Sequence, residues 1–199
     1  MENSISISTK KKLQVPGWLS EWSVDPKTSA IRFWATQRNL LAQPFRKING
    51  RFKVYDGLFQ ATTEDFSGAS INLIIEADSI YTGNKRRDKS LLSAGFMNVD
   101  QFPFLRFRSI SFEKGRGNTY ILEGDLSIRG ISKRVVIDVS YGQGTENEKG
   151  NTNIFFQSSF QINRHDFGFQ SNLFFEAFIE KEITIQLDLE FSRLPENIY

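Results

Sequence analysis

Apolar and polar residues alternate with a period of two through most of this chain, and this constrains its fold more than any other feature. The clearest example is "EITIQLDLEF", residues 182–191, where every second side chain from Ile183 to Phe191 is apolar and the residues between are polar or charged. Successive side chains of a β-strand point to opposite faces. The segment is therefore predicted to be a strand with one buried and one solvated face.

The same alternation recurs and predicts about eight strands. The other segments that carry it or are otherwise expected to be strands are 29–35, 48–54, 71–77, 104–112, 120–128, 135–139 and 154–162. Turns are expected at "EKGRGN", "RGISK" and "GQGTENEKGN". Short turns between half-apolar strands favour an antiparallel meander that closes into a barrel or folds into a sandwich. A helix fits only near residues 86–94, with a helical turn at "NLLAQPF", residues 39–45.

Composition and charge exclude several classes of protein. The 199 residues suit one large domain, and the absence of cysteine excludes disulfides and thiolate chemistry. A net charge of +2 gives no global attraction to nucleic acid. No stretch approaches the roughly 20 apolar residues of a membrane helix. Because the start of the chain lacks the pattern of a secretory signal, a cytoplasmic location is expected, or a periplasmic one if a leader was removed.

No group of residues predicts catalysis. His165 is the single histidine, and one histidine cannot form a histidine metal site or, without a placed nucleophile, a hydrolytic triad. We expect it to be solvated or hydrogen-bonded on a loop. The segment "GRGN", residues 115–118, lacks the lysine and the helix of a phosphate-binding loop and predicts a hairpin turn. We therefore expect no enzymatic activity, no cofactor and no metal site.

The connection "SIYTGNKRRDKSLLSAGFMNVDQFPFLRFRS", residues 79–109, is rich in charges and aromatic side chains. It resembles the signature of the YceI-like family, the polyisoprenoid-binding proteins. The residues that match are Thr82, Gly83, Asn84, Arg87, Asp88, Leu91, Phe96, Asn98, Pro103 and Phe107. The segments "WSVDPKTSAIRF", "GDLSIRGISKRV" and "INRHDFG" agree as well, so that the resemblance spans about residues 22–189.

The resemblance implies an all-β fold: an eight-stranded antiparallel β-barrel of lipocalin-like shape with a short helix in one connection. The barrel domain is expected at 21–192, between an N-terminal extension at 1–20 and a C-terminal tail at 193–199. Arg164 and Asp166 match family positions at a strand end and are expected to be structural. The chain departs from the family at Arg129, where a histidine is common, and at Gln37 and Arg38, near another common histidine position. A head-group role of those histidines therefore does not transfer.

Alternation shows which way side chains face, and by itself it leaves open a solid core or a cavity. With the resemblance, we expect a lumen that binds the tail of a lipid. The residues predicted to line it are Phe33, Phe52, Leu73, Ile75, Leu105, Phe107, Leu122, Leu126, Ile137, Phe156, Phe160 and Leu187. A lid or head-group site is predicted at Arg86, Arg87, Asp88 and Phe96, although Arg87 and Asp88 could instead brace the connection.

The predicted function is to bind, carry or sequester a long-chain isoprenoid lipid, such as a polyprenyl quinone or polyprenyl phosphate. The alternatives are a stress-related or interaction scaffold with a filled barrel, and an enzyme acting on a lipophilic substrate. The expected partner is the lipid, with no nucleic acid, no integral membrane span and a homodimer as one option.

Overall fold

Antiparallel strands form almost all of the structure. It is a computed structural model, and it describes residues 20–38, 45–146, 152–169 and 179–194. The strands are β1 (Ser20–Val24), β2 (Ala30–Arg38), β3 (Phe45–Phe52), β4 (Tyr55–Ala61), β5 (Ser70–Glu76), β6 (Ile80–Tyr81), β7 (Phe104–Lys114), β8 (Thr119–Ile128), β9 (Ile131–Glu146), β10 (Thr152–Asn163) and β11 (Ile179–Arg193). The helix α1 covers Lys85–Leu92, and short 3-10 turns lie at Ala77–Ser79 and Arg164–Phe167.

The strands close into a barrel. The order β1-β4-β5-β7-β8-β9-β10-β11 returns to its start because β11 also pairs with β1. The long β11 pairs with β2 over Ile179–Asp188 and with β1 near its end. Three of the eight strands are interrupted, so β1 and β2, β3 and β4, and β5 and β6 are successive halves. The predicted eight-stranded antiparallel barrel with one short helix is confirmed.

The three interruptions lie beside one another in the wall. The backbone amide of Lys53 donates to the carbonyl of Ser79 at 3.2 Å, and that of Glu76 donates to the carbonyl of Val54 at 3.0 Å. The hydroxyl of Tyr55 donates to the carbonyl of Ser29 at 2.7 Å. These bonds replace the regular ladder and keep the wall continuous where the strands break.

Some expectations differ from the structure or fall outside it. The polar segment predicted as a turn at 142–151 is strand up to Glu146, where β9 ends. Most of the predicted N-terminal extension, of the helical turn at 39–45 and of the C-terminal tail lies outside the described residues. The boundaries of the barrel domain, 21–192, stay a prediction.

Aromatic side chains fill one end of the barrel. They are Trp22, Phe59, Phe66, Phe112, Tyr120, Tyr141, Phe156 and Phe191. We call this set the aromatic plug. The ring of Phe59 lies 5.3 Å from that of Trp22 and 5.2 Å from that of Phe156, within the range of favourable aromatic contacts. Phe66 enters from the loop between β4 and β5 with a φ of 59°, a strained conformation that its ring contacts offset.

Candidate functional site

The other half of the barrel encloses a cavity of about 840 Å³. This volume lies in the range of small-molecule binding sites. Phe156 and Phe191 belong both to the aromatic plug and to the cavity lining, so they form its floor. At the opposite end Asn84, Arg86 and Ser90 border the cavity and are exposed, so its mouth lies beside α1. The barrel is therefore solid at one end and hollow at the other.

All twelve residues predicted to line the lumen border this cavity. Their role in binding lipid stays a prediction. Phe160 and Leu187 are partly exposed although they face inward, since open space lies beside them. Ile183 and Ile185 also border the cavity, although they are not among the twelve residues predicted to line it. The alternation of "EITIQLDLEF" places them on the same face as Leu187, so that signal was present.

Two aromatic rings of the cavity wall pack closely against glycines of neighbouring strands. Phe33 on β2 is the cross-strand partner of Gly50 on β3, and a Cβ atom built on Gly50 would lie 2.2 Å from Cζ of Phe33. A Cβ atom on Gly124 would lie 2.4 Å from Cζ of Phe107. A glycine within a strand often marks such a close approach.

The connection between β6 and β7 begins with a well-formed helix start. Gly83 has a φ of 76°, a conformation that glycine adopts without strain. Asn84 is the N-cap of α1, and its side-chain oxygen accepts hydrogen bonds from the amides of Arg86 and Arg87 at 3.1 Å each. The cap places Arg86, Arg87 and Leu91 at the mouth of the cavity.

Arg87 and Asp88 both form hydrogen bonds with the side chain and the backbone of Thr82. The Asp88 carboxylate accepts from the Thr82 amide at 3.0 Å and from its hydroxyl at 2.5 Å. The Arg87 guanidinium donates to the Thr82 hydroxyl at 2.8 Å and to its carbonyl at 2.9 Å. We call this set the threonine clasp. It connects the start of α1 to Thr82, which agrees with one of the two interpretations, and its role as a brace stays a prediction.

The four residues predicted as a lid or head-group site are placed differently from one another. Arg86, Arg87 and Phe96 border the cavity, whereas Asp88 does not. Because Arg87 is held in the threonine clasp, Arg86 is the more exposed of the two arginines at the mouth. Their contact with a ligand stays a prediction.

Arg164 borders the cavity from another side and is only 4% exposed. Its guanidinium donates to the carbonyls of Phe169 at 2.6 Å, Glu180 at 3.2 Å and Ile179 at 3.3 Å. These bonds tie the turn after β10 to the start of β11. The neighbouring His165 is partly exposed, and its backbone amide donates to the side chain of Asn163 at 3.0 Å.

Several ionisable groups away from the cavity have shifted pKa values, among them two tyrosines and one aspartate. Burial raises the pKa of Tyr55 and that of Tyr120, whose hydroxyl donates to the carbonyl of Asp65 at 2.9 Å. Hydrogen bonds from the amide and hydroxyl of Ser67 lower the pKa of Asp65. None of these three residues borders the cavity.

The described part of the chain contains no group of three or more histidine, aspartate or glutamate side chains placed to hold a metal ion. No helix among the described residues is long and apolar enough to cross a membrane. The cavity itself is lined mostly by apolar side chains, with polar residues of α1 beside its mouth.

Comparison with known proteins places this barrel among relatives. A UPF0312 protein of Pectobacterium atrosepticum is 34% identical over 125 residues, which are 62% of this chain and 64% of the relative. The chain thus spans less than two thirds of that relative's length. Among solved structures, BcnA of Burkholderia cenocepacia superposes with a TM-score of 0.72 at 19% identity, covering 84% of this chain and 98% of BcnA.

A polyisoprenoid binding domain from Saccharophagus degradans, implicated in plant cell wall breakdown, superposes with a TM-score of 0.66. It is 13% identical, and the match covers 87% of this chain and 98% of that domain, so it shows a shared fold. The family model of the YceI-like domain matches residues 22–191, which run from β1 to the residue of β11 that pairs with Val24 and so cover nearly the whole barrel. This protein therefore belongs to the YceI-like domain family.

Proposed function

We propose that this protein binds a long-chain isoprenoid lipid, with the tail in the cavity and the polar head at the mouth. The observation that carries the proposal is the 840 Å³ cavity, whose wall is mostly apolar and which has polar residues of α1 beside its mouth. The relative from Saccharophagus degradans, described as a polyisoprenoid binding domain, supports the choice of ligand class. The protein would carry or sequester the lipid rather than transform it.

The energetics of burial predict how the affinity depends on the length of the tail. An isoprenoid chain has no polar atoms along its length, so its affinity must come from apolar contact at roughly 25 cal/mol per Å². A few hundred Å² contributes on the order of 7 kcal/mol, which is comparable to the estimated cost of association. Short tails should therefore bind weakly, and affinity should rise with each added isoprene unit until the cavity is full.

The exposed Arg86 is the best-placed cation for an anionic head group, because Arg87 is committed to the threonine clasp. A prenyl phosphate should therefore bind more tightly than the prenol of equal length. Charge-assisted hydrogen bonds of this kind contribute about 1.5–3 kcal/mol, so Arg86→Gln should lower the affinity for the phosphate roughly 10- to 150-fold. The affinity for the prenol should hardly change, which separates head-group recognition from tail binding.

Extraction of the gently purified protein followed by mass spectrometry tests the proposal directly, and a co-purifying prenyl lipid is the expected result. Displacement of an apolar fluorescent probe by prenols of increasing length then measures affinity. Leu187→Asn places an amide in the cavity wall. Prenols should no longer displace the probe from this variant, because the buried amide lacks hydrogen-bond partners.

Thr184→Asn, on the outer face of the same strand, is the matched control and should bind like the wild type. Circular dichroism must show that both variants are folded. Equal affinity of a folded Leu187→Asn protein and the wild type would disprove binding in the cavity.

A further inference from the structure

Basic residues are concentrated in two segments of the chain. Residues 45–53 and 80–92 contain eight basic residues and a single acidic one, Asp88, a net charge of +7. Because the whole chain carries +2, the rest of it carries −5. The carboxylate of Asp88 already accepts two hydrogen bonds from Thr82 in the threonine clasp. The charge of this small protein is therefore strongly asymmetric, although its total is close to zero.

The fold brings these two segments together. Strand β6 pairs with β3, with Arg51 opposite Tyr81, and α1 begins four residues after β6. Six exposed cations lie on the resulting surface, which we call the basic face: Lys47, Arg51, Lys53, Lys85, Arg86 and Lys89. Within the described residues none of the six forms an ion pair, in contrast to Arg32 with Asp188 and Arg134 with Glu123 elsewhere on the barrel.

Two aromatic side chains lie among these cations. The Lys53 ammonium is 3.9 Å from the ring centroid of Tyr81, which the Arg51 guanidinium also approaches at 5.6 Å. The Lys47 ammonium is 4.6 Å from the ring centroid of Trp34. Tyr81 is 41% exposed. Tyrosine and tryptophan favour the boundary between lipid head groups and hydrocarbon, and lysine and arginine favour anionic head groups.

The basic face borders the mouth of the cavity. Strand β3 directs Ile48 and Phe52 into the cavity while Lys47 and Arg51 point outward from the same strand. On helix α1, Leu91 likewise borders the cavity, whereas Lys85 and Lys89 are exposed to solvent. A surface held against this face would therefore lie next to the opening through which a lipid tail would pass.

We propose that the basic face docks the mouth of the barrel on an anionic phospholipid bilayer. The advantage of such docking rests on the proposed function, since a tail could then move between bilayer and cavity with little exposure to water. Docking itself is a separate property that depends on charge. Each cation near an anionic surface contributes about 1 kcal/mol, and the attraction weakens with salt because ions screen it. Nucleic acid would meet the same charges but would gain nothing from an adjacent apolar cavity.

The test is co-sedimentation of the purified protein with vesicles that contain no prenyl lipid. We expect binding to phosphatidylglycerol–phosphatidylcholine vesicles, little binding to pure phosphatidylcholine, and loss of binding between about 0.05 and 0.5 M salt. The double variant Arg51→Gln/Lys53→Gln should bind about 30-fold more weakly, as expected for two cations. The matched control Lys114→Gln/Arg116→Gln removes the same charge at the β7–β8 hairpin, at the filled end of the barrel, and should bind within about twofold of wild type.

The outcomes separate this inference from the proposed function. Neither Arg51 nor Lys53 borders the cavity. Prenols should therefore displace the apolar probe from the double variant in solution as they do from the wild type. No preference for anionic vesicles, or equal weakening by both double variants, would overturn docking even if prenyl lipid binds. Tighter binding to duplex DNA than to the vesicles would also overturn it, in favour of a nucleic acid partner. Anionic vesicle binding by a protein that takes up no prenyl chain would support docking and reject the proposed function.

Discussion

Gly50 determines how much of the lumen the ring of Phe33 occupies. A Cβ atom at this position would overlap the ring, so Gly50→Ala should push Phe33 into the cavity. We expect the affinity for long prenols to fall about tenfold, with a stability loss of about 1–3 kcal/mol from overpacking. Gly142→Ala is the matched control, because its Cβ would meet the Phe155 ring at an ordinary 3.6 Å. Unchanged binding by Gly50→Ala in the displacement titration would contradict this account of the wall.

Tyr55 connects two of the strand interruptions through its hydrogen bond to Ser29. Burial raises the pKa of its hydroxyl above the usual value of about 10, so the folded state favours the protonated form. Its contribution to stability is therefore fully present below about pH 10 and decreases as the pH rises through the folded pKa. Tyr55→Phe should cost about 1 kcal/mol at neutral pH and should reduce the alkaline loss of stability. Urea unfolding at a series of pH values measures both effects, and parallel pH curves for the two proteins would be inconsistent with this assignment.

The threonine clasp should hold the first turn of α1 in place. Thr82→Val removes the hydroxyl that links Arg87 to Asp88, so we expect faster amide hydrogen exchange across residues 84–92. The global free energy of unfolding should fall by about 1–2 kcal/mol. Thr82→Ser retains the hydroxyl and is the control. If exchange in Thr82→Val matches the wild type, the clasp does not brace the helix.

How well each element could be predicted depends on whether its pattern is local. Strand β11 was predicted because its apolar residues alternate without interruption. The helix predicted near 86–94 is found at Lys85–Leu92, and its start follows from the Asn84 cap. The strand predicted over 48–54 is wrong at its end, because alternation places Val54 inward beside Phe52. The interruption reverses the facing, so that Val54 is 47% exposed and Tyr55 is buried. The hydrogen bonds at this reversal are accepted by the carbonyls of Ser79 and Ser29, which are remote in sequence.

Across the barrel, alternation predicts facing but not volume. Phe156 and Phe160 occupy equivalent inward positions on β10, yet Phe156 is 4% exposed within the aromatic plug and Phe160 is partly exposed beside the cavity. The difference depends on which loop fills each end. Phe66 enters one end from the β4–β5 loop, and α1 lies across the other. Such placements arise from tertiary packing, so the residues of the wall could be predicted from the sequence and the division into a filled and a hollow half could not.

This division predicts that stability and binding can be changed separately. Phe59 is fully buried in the aromatic plug and does not border the cavity, so Phe59→Ala should cost about 3–5 kcal/mol of unfolding free energy. Phe160→Ala should cost less, because one side of its ring already faces open space. A prenol at about 100 times its Kd should add about 2.7 kcal/mol to the stability of the wild type and of Phe59→Ala alike.

The increment should be smaller in Phe160→Ala, because at the same prenol concentration the lost wall contacts raise the Kd. Urea unfolding with and without the prenol measures all three increments, and Thr184→Asn on the outer face serves as the control. If Phe59→Ala remained folded but lost its increment, the aromatic plug would be part of the binding site, and the boundary drawn at Phe156 and Phe191 would be wrong.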